Sequence, residues 1–242
     1  MSRFVSRCLI PVWLLVTGAG IVVAQNPEMQ QKIAEVKQAA AANKQALAQY
    51  TWVEQVSISL KGEQKKLQHF QVRLGPDGKP QKQSMDLPAQ PAASSDAGGG
   101  RRGQRVKEHV VDKKKEEYED YADQIKSLIQ QYVPPEKEML EQAAQKGNIA
   151  AGPAAGTEGQ YRLVISNYVK QGDSMTILFD TARKGIVSLA IASYLSDPKD
   201  AVNVTVDFAS EPSGLSHVST ETINGVSKQL TIAIQNSQYR QM

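Results

Sequence analysis

The sequence is poor in the groups from which most enzymes build their sites. It has one cysteine, Cys8, among 242 residues. That cysteine sits in the apolar run at the start of the chain, so nothing after it can form a disulfide or serve as a thiol nucleophile. A small disulfide-stapled scaffold is therefore excluded, and the fold must rest on an ordinary hydrophobic core. Histidine is scarce as well: His69, His109 and His217 lie far apart with no HxH or HExxH spacing, which leaves no two-histidine metal motif. No G-x-S-x-G elbow is present, so a serine hydrolase has no support. The acidic pairs in EEYED and DPKD fall on a solvated helical face and in a proline turn, where nothing desolvates a general acid. No spacing of acids matches a calcium loop, and no cofactor motif appears. Charge of one sign is lacking too. Without Arg3 and Arg7, 26 basic residues face 25 acidic ones, which argues against nucleic acid as a partner. Aromatics make up 6% of the chain, so its helices are expected to cover a sheet rather than form a thick core of their own.

What is present begins with MSRFVSRCLIPVWLLVTGAGIVVAQ. Two arginines, an apolar run from Cys8 to Val23, and the small residues Val22 and Ala24 read as a secretory signal cut after Ala24. A retained membrane anchor is the competing reading, but Pro11, Gly18 and Gly20 interrupt the run. The expected location is periplasmic or secreted. The rest, residues 25–242, reads as one domain.

From Asn26, the spacing of Met29, Ile33, Val36, Ala40, Leu47 and Tyr50 predicts an amphipathic helix. TWVEQVSISL then alternates, with Trp52, Glu54, Val56, Ile58 and Leu60 on one side. KKLQHFQVRL follows after Gly62, and QKQSMDL follows the turn GPDGKP, so this block reads as two good strands and a weak third. Residues 88–103, PAQPAASSDAGGGRRG, read as a flexible surface loop; its GGGRRG lacks the Lys-Ser or Lys-Thr pair of a phosphate-binding loop. A charged helix follows, with Tyr118, Tyr121, Ile125, Leu128 and Tyr132 at steps of three and four. Val133-Pro134-Pro135 ends it, EKEMLEQAAQK forms a shorter helix stopped at Gly147, and NIAAGPAAGTEG reads as a loose connection.

From Gln160 to Gln235 the chain reads as six short strands with connections too brief for crossover helices, which predicts an antiparallel meander with an NG turn before the last strand. Tyr161, Leu163 and Ile165 share a face, as do Met175, Ile177 and Phe179, then Val202, Val204, Val206 and Phe208, and finally Leu230, Ile232 and Ile234. The fold expected is α+β: a curved antiparallel sheet whose apolar concave face is covered by amphipathic helices.

A ligand cavity on that face would be lined by Tyr118, Tyr121 and Ile125 from the helix and by Tyr161, Leu163, Ile177, Phe179, Val204, Phe208 and Ile232 from the sheet. The competing role for Tyr118, Tyr121 and Tyr132 is to seat the helix on the sheet.

An exported chain with a leading helix, a curved sheet, helices inserted midway and a returning meander resembles the periplasmic lipoprotein carriers of the Lol pathway in its order of elements. The stretches YTWVEQVSISLKGE, GPDGKPQK, YVPPEK, NYVKQGDSMTILFD and YLSDPKDAVNVTVDFA are similar to those of uncharacterised exported bacterial proteins with this layout. The resemblance implies a half-barrel, and a non-enzymatic binding protein that carries a lipid or a lipidated protein and meets membranes only transiently. The alternative is a structural or protein-interaction module of the cell envelope with a filled core, docking an envelope protein through its charged helix or a sheet edge.

Overall fold

The computed structural model describes residues 42–86, 116–133 and 135–242. The expected leader, most of the first helix, the loop at 88–103 and His109 lie outside the described residues. The elements are α1 (helical over 42–47), β1 (Tyr50–Leu60), β2 (Glu63–Leu74), β3 (Pro80–Ser84), α2 (helical over 116–129), α3 (Lys137–Gln145), β4 (Ile149–Pro153), β5 (Gln160–Ser166), β6 (Ser174–Asp180), β7 (Gly185–Tyr194), β8 (Ala201–Ser210), β9 (Ser216–Gly225) and β10 (Leu230–Gln241). The protein is α+β and built mostly of strands.

All ten strands form one antiparallel sheet in the order β3-β2-β1-β10-β9-β8-β7-β6-β5-β4. It is open, with β3 and β4 at its edges. The expected meander is present as β5 to β10, and the N-terminal strands join it through β1 against β10.

Local chemistry accounts for these elements. β1 and β2 are joined by Lys61 and Gly62, both at positive φ, the conformation a two-residue hairpin turn needs to match strand twist. The next hairpin turns through Gly75–Lys79, where the Gly75 amide donates to the Lys79 carbonyl at 2.8 Å and Gly78 takes a positive φ.

Trp52, Glu54 and Val56 alternate as buried positions, as their spacing predicts, and Phe70, Val72 and Leu74 do the same on β2. Across the meander the register lines up two apolar rows on that face. One runs Leu163, Ile177, Leu189, Val206, then Glu221, Ile234 and Val56; the other runs Ile165, Met175, Ile191, Val204, Ile223, Ile232 and Ile58. Each fully buried aliphatic side chain contributes roughly 1.5–3 kcal/mol, so these rows dominate the stability of the sheet.

Three expectations need correction. Residues 149–153, read as a loose connection, form edge strand β4 against β5; a five-residue strand of Ile, Ala, Gly and Pro has no alternation to reveal it. Tyr50, placed on the stripe of the first helix, opens β1. The Asn224-Gly225 pair is not the hairpin turn: both residues belong to β9, Gly225 pairs with Leu230 and with Val202, and the chain turns through 226–229.

Gly225 is instead required for space. A Cβ there would lie 2.6 Å from Tyr121 Cε1 and 2.8 Å from Ile125 Cδ1, so α2 rests directly on the backbone of β9. The Tyr121 hydroxyl donates to Asp200 Oδ1 at 2.8 Å and accepts from Ser227 Oγ at 3.1 Å at the same spot. Gly225→Ala is expected to destabilise the fold by about 2 kcal/mol through overpacking, and Gly225→Val by more. Urea denaturation would check it; an alanine variant as stable as the parent would mean that α2 shifts freely on the sheet.

Candidate functional site

Nine of the ten candidate cavity residues divide into two groups. Tyr121, Ile125, Val204 and Ile232 are buried in the core, and Tyr121 and Ile125 are the residues that seat α2 on Gly225. The competing role considered for the helix tyrosines is therefore the one Tyr121 performs. Tyr118 is half-buried. Tyr161, Leu163, Ile177, Phe179 and Phe208 stand apart: Tyr161 is exposed and the other four are half-buried. Tyr161 faces Phe179 across β5 and β6, and Leu163 faces Ile177 beside them. A bulge after Leu178 brings Ile186 opposite Phe179. This corner of the sheet keeps an apolar surface only partly withdrawn from water. Two open hollows elsewhere, of about 500 and 740 Å³, are lined by none of the ten.

On the same face lies a buried polar group that the sequence reading passed over. Glu54, in phase with Trp52 and Val56, forms an ion pair with Lys82 of β3, both side chains almost fully buried. The Lys82 ammonium stands 5.3 Å from the centre of the Phe70 ring. Burial raises the pKa of Glu54, and Lys82 opposes that rise. Glu221, on β9 in the row of Val206 and Ile234, is 3% exposed. Its pKa is pushed up to about 8, first by burial and then by the charge of Glu54, with Lys82 acting in the opposite direction. Glu221 is therefore largely neutral at pH 7. Its Oε1 has no hydrogen-bond partner, and neither do the buried Gln68 Oε1 and Asn236 Oδ1.

Beside this group three rings are stacked. Tyr239 lies 5.5 Å from Trp52 and 3.8 Å from His217, centre to centre. His217 Nδ1 is 3.2 Å from the Val218 carbonyl oxygen, and Nε2 is 3.1 Å from Glu211 Oε1. The Tyr239 hydroxyl donates to the same carbonyl at 3.3 Å, and burial raises its pKa. His69, by contrast, lies near the surface against Asp86 and Gln55.

A second polar centre fastens the helical segment to the sheet. Asp173, 2% exposed, accepts from the Tyr132 hydroxyl and from the amides of Tyr168, Val169 and Lys170. The Tyr132 hydroxyl oxygen also accepts from the Ser193 hydroxyl, whose Oγ lies 2.8 Å away, and the Tyr168 hydroxyl accepts from the Glu136 amide at 2.8 Å. Burial, together with Asp173, raises the pKa of Tyr132. With every carboxylate bond directed at the chain's own backbone or at Tyr132, this centre works as a fastening.

The signal for Glu54 was in the sequence, since a carboxylate stood in the apolar phase of an alternating strand. Glu221 shares its phase with Ile223 in the same way. What the sequence withheld was the register that sets β3 and β9 near them. Among the described residues, no group of three His, Cys, Asp or Glu side chains could hold a metal ion.

No family model and no curated protein matches the chain. Among solved structures, it is similar to the crystal structure of a DUF1329 family protein from Desulfovibrio piger ATCC 29098, at 12% sequence identity over 86% of this chain and 92% of that one, with a TM-score of 0.38. That family is a different one from the Lol carriers whose element order the sequence resembles.

Proposed function

We propose that this chain is an exported, non-enzymatic binding protein that holds a lipid, or the acyl chain of a lipidated protein, against the apolar face of its sheet, with its helices acting as a cover. The observation that supports this reading is the corner formed by Tyr161, Leu163, Ile177 and Phe179, where apolar side chains in register remain half-buried or exposed at the margin of the core. An apolar ligand completes their burial, and the gain grows by about 0.8 kcal/mol for each methylene withdrawn from water. In this reading the curved sheet is a half-barrel, and the ligand enters where the cover is thinnest.

The test is uptake of fluorescent fatty-acyl probes of graded length by the full chain. Shortening the probe by two methylenes is expected to weaken binding about tenfold, and Ile177→Asp to weaken it at least as much. Binding that ignores both chain length and this substitution would sink the reading.

A second reading is favoured by a different observation. Four of the ten candidate residues are consumed by core packing, and Asp173 with Tyr132 holds the helical segment down. A filled core suits an interaction module of the envelope, and absence of any acyl uptake would select it.

A further inference from the structure

The larger of the two open hollows, about 740 Å³, lies between α1 and the hairpin of β2 and β3. Its size falls within the roughly 300–1,000 Å³ of small-molecule sites. Lys44 of α1 and Arg73 of β2 line it, and none of the described residues lining it has an acidic side chain. Among the described residues neither cation forms an ion pair, and Asp77, the acid of the hairpin turn, is taken by Lys79. Met242 also borders the hollow. Even with its carboxylate counted, two cations against one anion leave the lining positive.

Both cations are placed by their surroundings. Asn43, beside Lys44, donates to the Ser216 carbonyl and accepts from the Ser216 amide, each at 2.7 Å, and Leu47 is fully buried, so α1 is fixed on the sheet. A Cβ on Gly78 would lie 3.6 Å from Lys44 Cε, so the half-buried Lys44 stem runs against the hairpin turn. Arg73 Nε donates to Gln81 Oε1 at 3.3 Å, and the Gln81 amide in turn rests on Gly75, where a Cβ would meet its nitrogen at 2.7 Å. With Nε engaged, the two Nη nitrogens keep their N–H groups for an incoming acceptor. Leu74, Pro76 and Ala48 supply an apolar wall.

The ligand chemistry follows from this lining. A cation is repelled, an alcohol leaves both charges without a counter-ion, and a bare inorganic anion leaves the apolar wall wet. An oxyanion joined to a short apolar body answers all three. The guanidinium fork matches two oxygens of a carboxylate or phosphate, and the ammonium adds further donors. We infer that this hollow binds a small organic oxyanion between Arg73 and Lys44, its apolar body resting on Leu74, Pro76 and Ala48. The site stands six strand spacings from β6, roughly 28 Å along the sheet. It is therefore separate from the proposed acyl-binding corner and does not rest on that reading.

The experiment is calorimetric titration of the full chain with hexyl phosphate, hexanoate, hexanol and inorganic phosphate. Hexyl phosphate is expected to bind at least tenfold more tightly than hexanol and than inorganic phosphate; a still tighter hexanoate supports the site and assigns its head group as a carboxylate. Arg73→Gln and Lys44→Gln are each expected to weaken the preferred anion about tenfold, with hexanol unchanged within twofold. Lys79→Gln, which alters a charge outside the hollow, and Ile177→Asp, which alters the acyl corner, are expected to leave that affinity within twofold. Hexanol binding as tightly as both anions overturns the inference, and inorganic phosphate equal to hexyl phosphate overturns the part given to the apolar wall. A loss in Lys79→Gln as large as in Arg73→Gln reduces the effect to general positive charge, and a loss in Ile177→Asp moves the anion to the acyl corner; either overturns the site. Pelleting of the chain with phosphatidylglycerol vesicles while no soluble anion binds replaces the small ligand by a membrane surface and overturns it too. The comparison of probes on the parent chain decides the matter even if a variant does not fold.

Discussion

Asp173→Ala is expected to lower unfolding free energy by about 4 kcal/mol, the largest loss from a single polar side chain in this fold. The carboxylate accepts three backbone amides from the loop after β5 and the hydroxyl of Tyr132. Alanine leaves these donors facing a site without solvent, at roughly 1–3 kcal/mol for each that finds no substitute. Asp173→Asn keeps the shape but loses the charge that strengthens each bond, and should cost about half as much. Tyr132→Phe removes one donor whose partners are otherwise satisfied, and should cost about 1 kcal/mol. Denaturant titration of the three variants should give that order, with the change in Asp173→Ala accompanied by earlier proteolysis between α2 and α3. A loss below 1 kcal/mol in Asp173→Ala would show that the loop holds its shape without the carboxylate.

The second large effect is a dependence on pH. Glu221 has an ordinary value of 4.5 and is pushed up to about 8 in the folded chain. The folded state therefore binds a proton that the unfolded state releases, and the stability associated with it is fully present below about pH 4.5. It is lost as pH rises through 8. The span corresponds to on the order of 5 kcal/mol. Glu54 shifts in the same direction, moderated by Lys82. Glutamine reproduces the neutral acid in shape and cannot ionise. Glu221→Gln is thus expected to match the parent near pH 5 and to exceed it by several kcal/mol at pH 9. Melting temperatures of both proteins from pH 5 to 9 would show the curves separating; parallel curves would mean that Glu221 ionises without penalty.

Legibility in the sequence followed how local each signal was. β5 to β10 could be read because each strand alternates within its own length and is bounded by its own turn residues. The hairpins of β1, β2 and β3 were legible for the same reason. β4 was not, because Ala, Gly and Pro carry little strand preference and its pairing with β5 supplies what the residues lack. The Asn224-Gly225 pair misled because glycine serves two needs, positive φ in a turn and room for a neighbour. Only the approach of Tyr121 and Ile125 tells which applies. Asp173 falls in one of the brief connections of the meander, and nothing nearby in sequence announces Tyr132. The apolar corner of Tyr161, Leu163, Ile177 and Phe179 follows from alternation alone, whereas the acidic group of Glu54 and Glu221, farther along the same face, depends on strands distant in sequence.

The seam between β1 and β10, where Leu60 finds Leu230 and Tyr50 finds Gln241, bears on how the protein reaches its native state. The N-terminal hairpin is made early, yet one side of β1 waits for a ribbon that emerges after all the others. Closing so long a span is entropically slow, and an unclaimed strand edge invites pairing with a neighbouring molecule. Nascent chains should therefore depend on a holding chaperone until β10 arrives.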